Sequence, residues 1–192
     1  MSGATLLCRG GVAMPRLFTA LEVPSSIGLL LSLKRGGLPG ARWIDPANYH
    51  LTLSFIGDVD QHLADEIEHQ LEPLVESLSF TVRLIGLESF GGDRPRSLFA
   101  AVEPSPELLQ LQAAQDRLLR RAGAEPEARK FIPHVTLARL RGIGPLDIAR
   151  HLTEAGRFSP MAWTPTRFVL FSSRDSVGGG PYRLEAEYPM AT

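Results

Sequence analysis

Very little lysine, almost no cysteine and almost no net charge mark this chain of 192 residues. The single cysteine, Cys8, rules out an internal disulfide framework and points to a reducing, cytoplasmic setting. Only Lys34 and Lys130 are lysines, so nearly all the positive charge is arginine. They open the phrases Lys-Arg-Gly-Gly and Lys-Phe-Ile-Pro. Neither is the Lys-x-Asp-Gly phrase of a nucleotidyl-lysine intermediate, which argues against a nucleotide-charged ligase. Twenty basic residues against 21 acidic ones leave a formal charge of -1. That disfavours a long electrostatic track along nucleic acid, which needs a strongly basic domain, but leaves room for one local phosphate site. No stretch reaches the roughly 18 uninterrupted apolar residues a membrane helix needs. The His-Glu-x-x-His, Cys-x-x-Cys, Gly-x-Gly-x-x-Gly and Walker phrases are all missing.

What remains is ordinary globular composition, 44% hydrophobic and 21% charged, punctuated by 15 prolines and 18 glycines. Residues 1–13 are small and Gly-rich and read as a flexible N-terminal extension. Residues 14–192 read as one domain. Its pattern predicts strands over 16–23, 49–56, 80–87, 97–102, 132–140, 166–172 and 182–188, the last two joined across Gly178-Gly179-Gly180. Helices are expected over 26–33, 59–78, 106–122 and 146–154. In the second helix Leu63, Ile67, Leu71, Leu74 and Leu78 form the apolar stripe; in the third, Leu108, Leu111, Ala114, Leu118 and Ala122 do. Strands alternating with a few helices read as an α+β class, with an α/β one of mixed pairing as the alternative. Once the helices are docked no long apolar stripe is left over, so a monomer is expected.

Two of the five histidines stand in matching phrases: His50-Leu51-Thr52-Leu53 and His134-Val135-Thr136-Leu137. Composition alone predicts about 0.2 His-x-Thr triplets, and two with apolar residues at both other places only about once in a thousand sequences. In a strand, residues i and i+2 share a face. His50 and Thr52 therefore look one way while Leu51 and Leu53 look the other, and His134 and Thr136 repeat this against Val135 and Leu137. Two such strands meeting at a cleft surround one small volume with two imidazoles and two hydroxyls. Imidazoles exchange protons near neutrality and can serve as base and acid in one displacement. Hydroxyls can donate to non-bridging phosphate oxygens. The pattern fits a phosphodiester and calls for no metal or other cofactor. His62 and His69, seven apart on one helix, and His151 read as surface residues.

The sequence resembles the 2H phosphoesterases, and within them the RNA 2′,3′-cyclic phosphodiesterase branch, the 2′-5′ RNA ligase family. The matching phrases are Arg16-Leu17-Phe18-Thr19-Ala20-Leu21-Glu22, Arg42-Trp43-Ile44 leading into the first motif, Arg96-Ser97-Leu98-Phe99-Ala100, and Phe131-Ile132-Pro133 leading into the second. Ser172-Ser173-Arg174 and Gly180-Pro181-Tyr182 follow near the end. The resemblance implies a two-lobed fold with pseudo-two-fold symmetry, mostly antiparallel sheets around a central cleft and helices outside. It implies metal-independent hydrolysis of RNA 2′,3′-cyclic phosphate ends to 2′-phosphate ends, with reversible 2′-5′ ligation as the related reaction. His50 is then the proton donor, His134 the proton acceptor, and Thr52 and Thr136 the phosphate holders. Substrates would be RNA ends, tRNA halves among them, or small nucleotides; a non-catalytic RNA-end-binding module is the rival of another class.

Supporting residues follow from position. Arg139 could add a bidentate phosphate contact, but strict alternation turns it away from His134 and Thr136 unless the strand bulges. Phe18, Phe131 and Tyr182 are candidates to stack a base. Arg94 and Arg96 sit in a Gly/Pro-rich loop that reads as solvated.

Overall fold

The computed structural model describes residues 15–74, 79–173 and 180–191. Residues 1–13 with Cys8, Leu78, Arg174 and the Gly178-Gly179 part of the turn lie outside the described residues. The strands are β1 (Arg16–Glu22), β2 (Ala41–Trp43), β3 (His50–Asp58), β4 (Val82–Phe90), β5 (Ser97–Val102), β6 (His134–Leu140), β7 (Met161–Trp163), β8 (Arg167–Ser172) and β9 (Arg183–Pro189). The helices are α1 (Ser25–Ser32), α2 (Gln61–Leu71), α3 (Pro106–Arg121) and α4 (Pro145–Glu154). Every strand pairing is antiparallel, and the main order is β7-β4-β5-β6-β3-β1-β8-β9, with β2 alongside β6.

The order splits into two four-stranded halves that meet at β6 and β3, the two motif strands. They share one register pair, Leu51 with Val135, and splay on either side of it. In chain order β1-α1-β3-α2-β4 is matched by β5-α3-β6-α4-β8. Yet β4 lies beside β5, and β8 lies beside β1. Each half therefore lends its last strand to the other.

Local chemistry sets the element ends. Asp60 caps α2 by accepting the Leu63 N–H at 2.8 Å, and Ser105 caps α3 by accepting that of Leu108 at 3.3 Å. α2 stops at Leu71, short of the 59–78 expected, and continues only as a 3-10 turn over Glu72–Leu74. Pro73 is the reason, since it has no N–H and its ring crowds the preceding turn. β2 and β7 are three residues each, too short to show a period.

One large core lies between the sheet and helices α1, α2 and α3, centred on Leu21, Leu51, Ile67, Leu119, Val135 and Phe168, each at most 1% exposed. Burying each such side chain stabilises the fold by about 1.5–3 kcal/mol. A smaller cluster joins Ile148 of α4 to Leu98, Ala138 and Leu140. The buried stripe of α3 is Leu108, Leu111, Gln115 and Leu119. Ala114, Leu118 and Ala122, expected there, are only half-buried. The helix therefore buries a glutamine that its hydrophobic pattern concealed. His151 also departs from expectation. It is 5% exposed, its ring 5.7 Å from that of Trp43, because α4 packs its inner face over the chain that leads into β2. His62 and His69 are exposed, and His69 faces Glu72 at 3.2 Å.

Candidate active site

Both motif strands carry the same irregularity. Ala20 faces Thr52 but Thr19 faces Ser54, so Leu53 is an extra residue in β3. Phe99 faces Thr136 but Leu98 faces Ala138, so Leu137 is the extra residue in β6. These are β-bulges at the fourth residue of each motif. Each buries two consecutive residues, Leu53-Ser54 and Leu137-Ala138. Beyond each bulge the alternation is reversed, which returns Phe55 and Arg139 to the side of the histidines. Strict alternation had turned Arg139 away; the bulge turns it back.

Each imidazole is anchored in the same way. His50 Nδ1 lies 2.8 Å from the Asn48 carbonyl oxygen, and His134 Nδ1 lies 2.7 Å from that of Ile132. A carbonyl only accepts, so each Nδ1 carries the hydrogen and each Nε2 is left to take or give a proton. The backbone at Gly180 packs against the Asn48 side chain. Gly180, at φ +86°, passes so close that a Cβ there would lie 2.4 Å from the Asn48 side chain.

Aromatic rings pack around both histidines. Phe18, Tyr182 and Phe171 approach His50 with centroids at 5.1, 5.0 and 6.3 Å. Phe90 and Phe99 approach His134 at 4.9 and 5.2 Å. Burial therefore disfavours both imidazolium forms. The His50 ring is pushed down from 6.5 to about 4, first by burial and then by the charges of His134 and Arg139, against the Asn48 hydrogen bond. His134 is lowered too, by burial and by Arg139, against its bond to Ile132. The same guanidinium thus acts on both rings, which places Arg139 in the field of the pair.

Beside the splay is a cavity of about 480 Å³. Thr52, His134, Arg139 and Phe131 line it, while His50 and Thr136 border the site without lining this cavity. Thr136 shares the His134 face of β6. Phe18 is 4% exposed, so its ring supports His50 and offers no open face. Tyr182 is half-buried, edge-on to both His50 and Phe18.

Residues not expected from the sequence join this wall: Phe55, Phe90, Ile132 and Lys130. Arg96, read as solvated, lines it as well, whereas Arg94 does not. Arg129 is matched by Glu127, and Asp116 accepts the Ser54 hydroxyl at 2.6 Å. Arg96, Lys130 and Arg139 leave the wall locally basic although the chain is near neutral. Only Phe55 had a legible signal, since it occupies the place in β3 that Arg139 occupies in β6.

Among the described residues no three His, Cys, Asp or Glu side chains gather as a metal site, and no helix is long and apolar enough to cross a membrane.

Paired histidines on the central strands of a bilobal antiparallel sheet are the arrangement that the resemblance to the 2H phosphoesterases leads one to expect. Residues 41–176 match the model of the 2′-5′ RNA ligase superfamily, and the chain belongs to that family. It is similar to the RNA 2′,3′-cyclic phosphodiesterase of Aeropyrum pernix, 36% identical over 128 residues that cover 65% of this chain and 72% of the relative. To the protein of the same name from Thermotoga maritima it is 32% identical over 178 residues, 88% of this chain and 92% of the relative. The fold is like that of E. coli LigT complexed with 3′-AMP, with TM-score 0.72 and 23% identity, covering 93% of this chain and 99% of that one.

Proposed function

We propose that this chain hydrolyses RNA 2′,3′-cyclic phosphate ends to 2′-phosphate ends, with His50 and His134 as acid and base. One observation carries the reading: two imidazoles on adjacent strands, each fixed through Nδ1 to its own backbone with Nε2 left for chemistry. His134 Nε2 takes a proton from water as the water oxygen bonds to phosphorus. The P–O3′ bond breaks, and His50 Nε2 gives its proton to the departing O3′. The acid and base assignments follow the family pattern. With a 5′-hydroxyl in place of water the same roles give 2′-5′ ligation; exchanged, they run cyclisation, or ligation backwards.

Thr52 and Thr136 donate to the non-bridging oxygens, and Arg139 offsets their charge with a forked contact. Arg96 and Lys130 extend the basic wall toward the next phosphate. Phe131 is the stacking surface for a base, beside Phe55 and Ile132, which are 40% and 49% exposed. Tyr182 closes the His50 side. Loan of β4 and β8 between the halves supports reading residues 14–192 as one domain.

The cavity volume favours a second reading of the substrate. About 480 Å³ is within the size class of small-molecule sites, so a mononucleotide cyclic phosphate is a fitting substrate as well as an RNA end. Turnover of a 2′,3′-cyclic mononucleotide compared with a cyclic-phosphate tRNA half decides between them.

The central test is hydrolysis in excess chelator by the wild type, His50→Ala and His134→Ala. Full activity of the wild type and loss in both variants is expected. Undiminished turnover in either variant, or loss of wild-type activity to the chelator, would sink the mechanism.

A further inference from the structure

The two motif bulges match in backbone but are supported differently. In the second half, Leu98 faces Ala138 across the bulge, and both are fully buried and apolar. In the first half the equivalent pair is Thr19 and Ser54, at 0% and 4% exposure. There the Thr19 hydroxyl accepts the Ser54 backbone N–H at 3.1 Å and donates to Gln115 Oε1 at 2.6 Å. Gln115 comes from α3, 96 positions along the chain, and is itself 0% exposed. Its Nε2 has no hydrogen-bond partner among the described residues. A buried amide with one end unpaired is destabilising. The fold carries that burden where an apolar pair serves the other half.

We propose that Gln115 and Thr19 are positioning residues for the first motif. Their relay from α3 holds the β3 bulge at Leu53 and so sets the direction of His50 and Thr52. A bulge is a single surplus residue that can migrate along a strand, and each step sends a side chain to the opposite face. Thr19 fixes it by taking the one N–H that belongs to the residue after the bulge. Gln115 in turn fixes the Thr19 hydroxyl so that its lone pair meets that N–H. Both residues are 0% exposed, so neither side chain reaches substrate. In β6 the residue after the bulge is an alanine packed under Leu98, and steric fit does the same task.

The inference rests on the acid–base reading of the site, and its test separates the two. Thr19→Val keeps the shape and removes the hydroxyl; Gln115→Leu removes the other partner; Thr19→Ser restores the hydroxyl. Imidazole NMR resonances of His50 and His134 are recorded for each, together with kcat and KM on a cyclic-phosphate substrate. Thr19→Val and Gln115→Leu are expected to shift the His50 resonances and leave those of His134 in place. They should lower kcat between about tenfold and about a hundredfold, the scale of a misplacement of about 1 Å, with KM little changed. Thr19→Ser should return both readouts toward wild type. Equal shifts at the two histidines, or an unmoved His50 in a folded Thr19→Val protein, would overturn the proposal. So would a kcat loss that Thr19→Ser fails to relieve. If the wild type turns over no cyclic phosphate at all, the functional reading fails, while the NMR comparison still judges the brace.

Discussion

Protonation of His50 should change with whatever occupies the site. In the empty protein its ring titrates at about 4, lowered from 6.5 chiefly by burial. At pH 7 roughly one molecule in a thousand then carries a proton there, so a donor with that value is nearly always discharged. A bound phosphate supplies one negative charge. At about 4 Å and an effective dielectric near 20 the attraction is ~4 kcal/mol, or about three pKa units, enough to raise His50 to about 7. With His50 in the proposed donor role, substrate would thereby recruit the proton that the reaction spends on O3′. The assay is imidazole NMR across pH 3 to 8, with and without saturating 2′-AMP. A midpoint at about 4 in the empty protein and a rise of one to three units with nucleotide are expected, by the same Coulomb reasoning. In step with this, kcat/KM, which reports the free protein, should fall toward alkaline pH before kcat, which reports the complex. Both limbs belong to the histidine pair and not to one ring. Stability follows with a definite sign. The unfolded chain takes up the His50 proton near 6.5 and the native one only near 4. Native stability is therefore lost as pH falls through that window, by at most about 3 kcal/mol. An empty-site midpoint near 6.5, or one that 2′-AMP leaves unmoved, would refute the reasoning.

Two further expectations follow from the same geometry. Arg139→Ala should lower kcat/KM by about ten- to a hundredfold, the worth of a hydrogen bond to a charged group. It should also raise both histidine midpoints, since that cation lowers them; Arg139→Lys should fall between, keeping charge without the fork. His151→Phe should leave turnover unchanged and shift stability by no more than about 1 kcal/mol at pH 7, because the Nε2 it removes is buried without a hydrogen-bond partner among the described residues. Burial holds His151 below its ordinary value, so the unfolded chain binds that proton first and stability declines as pH falls below about 6.5. Urea melts at pH 7 and pH 5 should show a smaller acid loss in the variant.

The histidine pair and the larger helices were readable because each repeats a period the fold also uses. His50-Leu51-Thr52-Leu53 and His134-Val135-Thr136-Leu137 alternate as strands do, and Ile67 and Leu71 recur as a buried helix face does. Features that break a period were not readable. The bulge at Leu53 is hidden because the second buried residue is a serine, and that at Leu137 because an alanine suits either face. Gln115 looks like a surface residue until Thr19 arrives from the far end of the chain. His151 looked exposed for the same reason, its neighbour Trp43 lying 108 positions earlier. The cavity wall depends on chain segments that meet only through topology, such as Glu127, whose N–H reaches the Phe55 carbonyl at 3.0 Å.

Loan of the terminal strands carries a consequence for how the molecule can be divided. A cut in the turn between β4 and β5 would release two pieces of similar size, each holding one motif and strand that belongs with the other: β2 and β4 pair with β6 and β5, and β8 pairs with β1. Neither piece has a closed sheet of its own, so neither is a small enzyme in waiting. Together they interlock like clasped hands, and the joint between the hands is where the two histidines lie. Dividing the sheet anywhere along that joint would therefore separate His50 from His134.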